Sequence, residues 1–281
     1  MLNRPPRVLA IHDLSGFGRC SLTVALPVLS ACKITCACLP TAVLSTHTGG
    51  FTGYTFRDLT DDLKPMADHL KRENIQFEAL YTGYLGSEKQ LSIVENIINE
   101  FSHPGVLTVV DPVLGDEGRL YAGLTAPMVD GMRRLCARAD VIVPNLTEAA
   151  LLLEQPYRDG VLKEAEIRSL CENLFKLGPG AVVLTGVMPD ETHIGCACFD
   201  GHAMTLCVTE KIPARFDGTG DVFSSVLVGA LLNGKSLPAA AKTAAAFTRD
   251  CIALTAKRKG NAHYGVDFEE FLWSLRQRME E

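Results

Sequence analysis

Most of the signatures that assign a chain quickly are missing from this one. No apolar run approaches the roughly 18 consecutive residues of a membrane span, and the N-terminus MLNRPPRVLAIHD has no long apolar stretch behind its basic residues. These absences predict a cytoplasmic protein without a membrane partner. Positive charge is also scarce, with a net charge of -6, a pI near 5.7, and Lys and Arg scattered along the chain. That excludes a broad nucleic-acid or anionic-membrane surface, so an anionic ligand must be held locally. No low-complexity linker or internal repeat divides the 281 residues, and 47% apolar content is enough for one sizeable core. The expectation is a single domain over 1–281.

Ten cysteines contain no CxxC pair. They do contain Cys36-x-Cys38 and Cys196-x-Cys198, both in apolar, strand-like stretches. Residues two apart on a strand share a face, so such pairs can chelate or react. The plainer expectation is that they pack as reduced small hydrophobes. There is no GxxxxGK followed by Ser or Thr, hence no P-loop, and GFG at 16–18 lacks the third glycine of a dinucleotide fingerprint.

Short apolar runs are present instead: VLAIH, ITCACL, ALYTGYL, LTVVDPV, VIVPN and AVVLTG. They alternate with amphipathic segments such as EKQLSIVENIINEF, APMVDGMRRLCARA and KEAEIRSLCENLFKL. Continuous apolar strands alternating with helices predict α/β architecture, a mostly parallel sheet covered on both faces. GCACFDGHAMTLCVTEKI reads as a hairpin turning at Asp200-Gly201, an antiparallel edge on that sheet. The C-terminal third is predicted helical at 221–232, 237–255 and 267–280, with Pro238 in a first turn.

Ligands of open parallel sheets bind at the carboxyl ends of the strands. The polar clusters at such ends are His12-Asp13, residues 45–48, Gly83-Tyr84, Asp111-Pro112, residues 145–148 and Thr185-Gly186. Farther on, FDGTGDVF places Gly218, Thr219 and Gly220 where a loop enters a helix, so backbone N–H groups can face an oxyanion. Asp221 directly behind them is either a base beside developing negative charge or a helix cap. On this loop alone the two readings weigh equally. Asp111 with Asp116, and Asn145 with Glu148, offer hard oxygen donors suited to magnesium beside a nucleotide, although Asp-Pro also makes turns and Asn145 also starts helices.

Taken in order, AIHDLSGFG, STHTGGF, TGYLGS, DPVLGDEGRLY, ADVIVPNLTEAALL, VVLTG and FDGTGDVFSS resemble the pyridoxal kinases of the ribokinase superfamily, over residues 7–255. The resemblance implies a ribokinase-like three-layer fold and ATP-dependent phosphorylation of the 5′-hydroxymethyl group of pyridoxal, pyridoxine or pyridoxamine. It implies Asp221 as base and Gly218, Thr219 and Gly220 as anion hole. Asp111, Asp116, Asn145, Glu148, Thr185, Gly186 and Phe223 would meet the nucleotide, with Asp111 and Glu148 facing Mg2+. Asp13, His47, Thr48, Tyr84 and Tyr121 would surround the B6 vitamer, Tyr121 on a flap after DPVLGD. It also implies a homodimer and activation by K+.

Three residues depart from that pattern. Asp13 replaces a serine that usually meets the pyridine nitrogen, which favours a protonated ring and a different vitamer preference. Asp217 stands where an apolar residue is common. Val143 replaces a threonine that assists a monovalent cation, leaving backbone carbonyls for K+. Two alternatives stay open: a kinase for hydroxymethylpyrimidine or another small alcohol, such as a sugar or nucleoside, and an inactive binding protein of the same fold.

Overall fold

The computed structural model describes residues 4–280. In chain order its main elements are β1 (Arg7–Ser15), α1 (Leu22–Ala31), β2 (Thr35–Leu44), β3 (Phe56–Asp58), α2 (Thr60–Arg72), β4 (Ala79–Thr82), α3 (Glu88–Phe101) and β5 (Leu107–Val110). A short flap follows, β6 (Gly115–Asp116) and β7 (Arg119–Leu120), then α4 (Ala126–Cys136), β8 (Val141–Ile142), α5 (Leu146–Leu152) and α6 (Glu164–Phe175). The chain closes with β9 (Val182–Val187), β10 (His193–Phe199), β11 (Met204–Glu210), α7 (Thr219–Leu232), α8 (Leu237–Lys257) and α9 (Leu272–Arg278).

A nine-stranded sheet runs in the order β11-β10-β9-β8-β5-β4-β1-β2-β3. The six central strands from β9 to β2 are parallel. Antiparallel pairs close both edges, β10 with β11 on one side and β3 on the other. Strand side chains alternate between faces, and here both faces are apolar. Leu9, Leu80, Val110, Ile142 and Leu184 join the core beneath α2 to α6. Val8, Tyr81, Val109, Val141 and Val183 join the core beneath α1, α7, α8 and α9. The result is the three-layer, mostly parallel arrangement expected of a ribokinase-like chain, with helices on both faces and an antiparallel hairpin edge.

Local signals explain the helices. In α3 the Ser87 side chain accepts from the Gln90 N–H, and Leu91, Val94, Ile98 and Phe101 recur at helical spacing on the buried face. In α5 a reciprocal capping box joins Asn145 and Glu148.

The expected hairpin turns through residues 200–203, where Asp200 accepts from the N–H groups of His202 and Ala203 and folds the loop on itself. One expectation needs correction. The last helix is not continuous over 267–280: a 3-10 turn at Glu269–Phe271 precedes α9. Here Phe268 is buried against the α8 side, and Asp267 is tied back through its N–H to the Thr255 hydroxyl.

Candidate active site

β1 has β2 on one side and β4 on the other, so the order of strands reverses at β1, where α/β sheets bind ligands. A cavity of about 1010 Å³ opens there and extends to the β9–β11 edge. Every residue expected to act in catalysis or to meet the nucleotide or the vitamer lines it, including Asp13, Asp111, Glu148, Tyr121 and Asp221.

The start of α7 forms one wall. Its N-cap is Gly218, in the left-handed region at φ 72°, and no side chain caps the helix. Asp221 sits in the first turn without capping it, so the helix-cap reading loses its support. A Cβ on Gly218 would lie 1.8 Å from the Arg19 carbonyl oxygen, whereas one on Gly220 would meet nothing within 4 Å. Gly218 is therefore required by the backbone, while Gly220 leaves space in front of the helix N-terminus, where N–H groups favour an anion.

Four carboxyl groups converge on this wall. Asp13 accepts hydrogen bonds from the hydroxyls of Ser21 and Ser15. Asp111 accepts from Ser224 of α7 at 2.7 Å. Glu148 accepts from the N–H groups of Asn145 at 2.8 Å and Leu114 at 3.2 Å. Burial pushes all four upward, Asp111 and Asp221 to about 7. Burial is the largest cause at Asp13 and Glu148 too, and at Glu148 the Asp111 charge adds to it. No Lys or Arg is among the influences acting on any of the four. Buried oxygen donors without a counter-charge, Asp111 and Glu148 among them, have the chemistry that suits a hard divalent cation.

The opposite wall is less as expected. His47 does line the cavity, but Nδ1 accepts from the Gly49 N–H at 3.1 Å and Nε2 donates to the His263 carbonyl at 2.6 Å. Both nitrogens are thus used within the protein. Thr48 and Tyr84 also line the cavity, and burial followed by the Asp13 charge pushes the Tyr84 hydroxyl upward. Tyr121 follows the flap and is 39% exposed, and Asp116 is exposed on β6. Thr185 is anchored through its N–H to the Pro144 carbonyl at 2.8 Å, beside Gly186 at φ 75°.

Comparison with known proteins decides the family. A family model for phosphomethylpyrimidine kinase matches residues 26–267. The chain belongs to that family. It is 40% identical to a Bacteroides thetaiotaomicron protein named as a phosphomethylpyrimidine kinase and crystallised with pyridoxal, with a TM-score of 0.92 over 97% of this chain and 96% of that one. Pyridoxal kinase from Lactobacillus plantarum is 33% identical, with a TM-score of 0.88 over 96% of each chain. The thiamine biosynthetic bifunctional enzyme TH1 of Arabidopsis thaliana is 27% identical over 259 residues, 89% of this chain. The chain spans only 47% of that enzyme's length, and 61% and 57% of the pyridoxal kinases of Arabidopsis thaliana and Sus scrofa. The likeness to pyridoxal kinases drawn from the motifs therefore holds within the phosphomethylpyrimidine kinase family.

Within this family member, sequence reasoning missed several supporting groups. Ser21 and Ser224 hold Asp13 and Asp111, and for Ser224 the pair of serines inside the apolar run VFSSVLV was the available signal. His263 was not legible: its Nδ1 meets Asp217 at 3.0 Å across 46 positions of sequence. That contact accounts for Asp217, which also donates its N–H to the Ala262 carbonyl and so fixes the C-terminal loop beside His47.

Proposed function

We propose that the chain is an ATP-dependent kinase that phosphorylates the 5′-hydroxymethyl group of a B6 vitamer. One observation carries the reading. Asp221 shares the first turn of α7 with the uncapped N–H groups at residues 218–220, in the same cavity as Asp13 and Tyr84. A base and an anion hole in one turn suit attack of an alcohol on a terminal phosphate.

In this reading the vitamer ring lies between Asp13, Thr48 and Tyr84, with Asp13 bonded to the ring nitrogen. The nucleotide lies along Thr185, Gly186, Phe223 and Asn145, and Tyr121 and Asp116 border the phosphates. The hydroxyl oxygen attacks the γ-phosphorus of ATP, its proton passes to Asp221, and the bond to the ADP oxygen breaks. The N–H groups at residues 218–220 stabilise charge on the transferred phosphoryl oxygens. Asp111 and Glu148 would hold Mg2+, which would supply further charge neutralisation at the phosphates. His47 acts by shaping the wall, since its nitrogens are engaged by Gly49 and His263.

Asp221→Asn tests the assignment: turnover is expected to fall roughly 100-fold or more with little change in ATP binding. Unchanged turnover would contradict it. A second reading, a hydroxymethylpyrimidine kinase, draws on the family match and on the thiamine-pathway relative. Asp13 suits either ring, because both carry a basic nitrogen.

A further inference from the structure

Away from the cavity, β10 and β11 present an arrangement that phosphoryl transfer does not use. Cys196 and Cys198 lie two apart on β10, and Cys207 of β11 stands directly opposite Cys196. All three therefore project from one face, beneath α8. Their sulfur atoms lie within 4.8 Å of one another, and all three residues are buried. Among the described residues this is the one group of three or more such donors, and it contains no histidine, carboxylate or fourth cysteine.

We propose that Cys196, Cys198 and Cys207 form a three-sulfur site for a thiophilic monovalent cation, copper(I). The spacing fits: a cation about 2.3 Å from each sulfur in a trigonal plane sets the sulfurs about 4.0 Å apart, inside the 4.8 Å within which the three sulfurs lie. Soft thiolates select copper(I) and zinc. Structural zinc almost always takes four ligands, and the missing fourth donor favours copper(I). The surroundings are apolar, since the three cysteines share a core with Ala240, Ala241 and Ala244 of α8, and such a shell keeps water and its oxygen donors from the cation. The positive charge of Lys242 acts on the Cys207 sulfur and offsets part of the negative charge that three thiolates keep beside a monovalent cation. Binding exchanges thiol protons for the cation and moves no electrons. The Cys196 S–H, which donates to the Cys207 carbonyl at 3.8 Å, is one of the protons released.

The test supplies copper(I) anaerobically to the reduced full-length protein in the presence of a competing chelator. Wild type is expected to retain one equivalent, with X-ray absorption showing sulfur neighbours only. Cys196→Ser and Cys207→Ser are expected to lose affinity by roughly 100-fold or more, since even supporting groups around metal sites are worth up to that much. Cys36→Ser with Cys38→Ser, at the other end of the sheet, is expected to retain it. Failure of the wild type to hold copper, nitrogen or oxygen neighbours in the spectrum, or equal retention by the Cys196 variant would each overturn the site. The spectrum of the wild type needs no variant to fold.

Discussion

At the scale of single residues, the site is built from groups whose local chemistry is costly to the fold. Gly218 is the clearest case. Its φ of 72° belongs to glycine, and a Cβ there would lie 1.8 Å from the Arg19 carbonyl oxygen. Gly218→Ala is expected to destabilise the protein by more than the roughly 1–3 kcal/mol of a strained backbone, because the loop must also move. A denaturant titration beside an activity assay checks this, with loss of both expected. Asp221 costs stability in a different way. Its carboxyl is raised to about 7 by burial, so the ionised form is disfavoured in the fold. Asp221→Asn is therefore expected to raise Tm at neutral pH while it removes turnover, the trade between stability and function expected at an active site. A calorimetric scan of the unliganded protein measures the sign.

At the scale of elements, legibility followed the strength of the periodic signal. The amphipathic α3, α4 and α6 and the apolar central strands could be read directly, because each has one dominant spacing. α1 could not: LTVALPVLSA is apolar nearly all round and holds Pro27 within the helix, so neither period stands out. The two-residue strands of the flap carry no periodicity either, and they rest on contacts such as the close approach of Gly115 to Arg119. A Cβ at Gly115 would lie 2.1 Å from the Arg119 carbonyl oxygen. Gly115→Ala is expected to open the flap, raising KM for ATP several-fold with a smaller effect on the fold, since neither flap strand belongs to the central sheet. Steady-state kinetics against ATP, with Tm in parallel, separates the two effects.

At the scale of the whole molecule, the candidate site was legible to the extent that it gathers strand ends and one helix start, which a parallel sheet must bring to a single rim. The partners that hold its carboxylates were less legible, because Asp217 and His263 or Asp111 and Ser224 meet only through the fold. The same gathering gives the molecule its pH response. Asp111 and Asp221 keep protons in the folded state up to about 7, whereas the unfolded chain releases them near the ordinary carboxylate value of 3.8. The folded state thus binds more protons in that window, and this contribution to stability falls as pH rises through it. His12, buried and lowered to about 3, acts in the opposite sense. The difference between wild type and Asp221→Asn removes the His12 contribution: the Tm advantage of the variant is expected to grow as pH rises from about 4 to about 7. Lowered carboxylates such as Asp190, held down by the Thr192 hydroxyl, act below that window.

The identity of the alcohol is read by a panel assay with ATP and Mg2+. Pyridoxal, pyridoxine, pyridoxamine, hydroxymethylpyrimidine and representative sugars and nucleosides are compared by kcat/KM for ADP release, with the phosphorylated product identified. At least one B6 vitamer is expected to be phosphorylated on its 5′-hydroxymethyl group with the highest kcat/KM of the panel. Preferential turnover of hydroxymethylpyrimidine or a sugar, or no turnover of any alcohol, contradicts it.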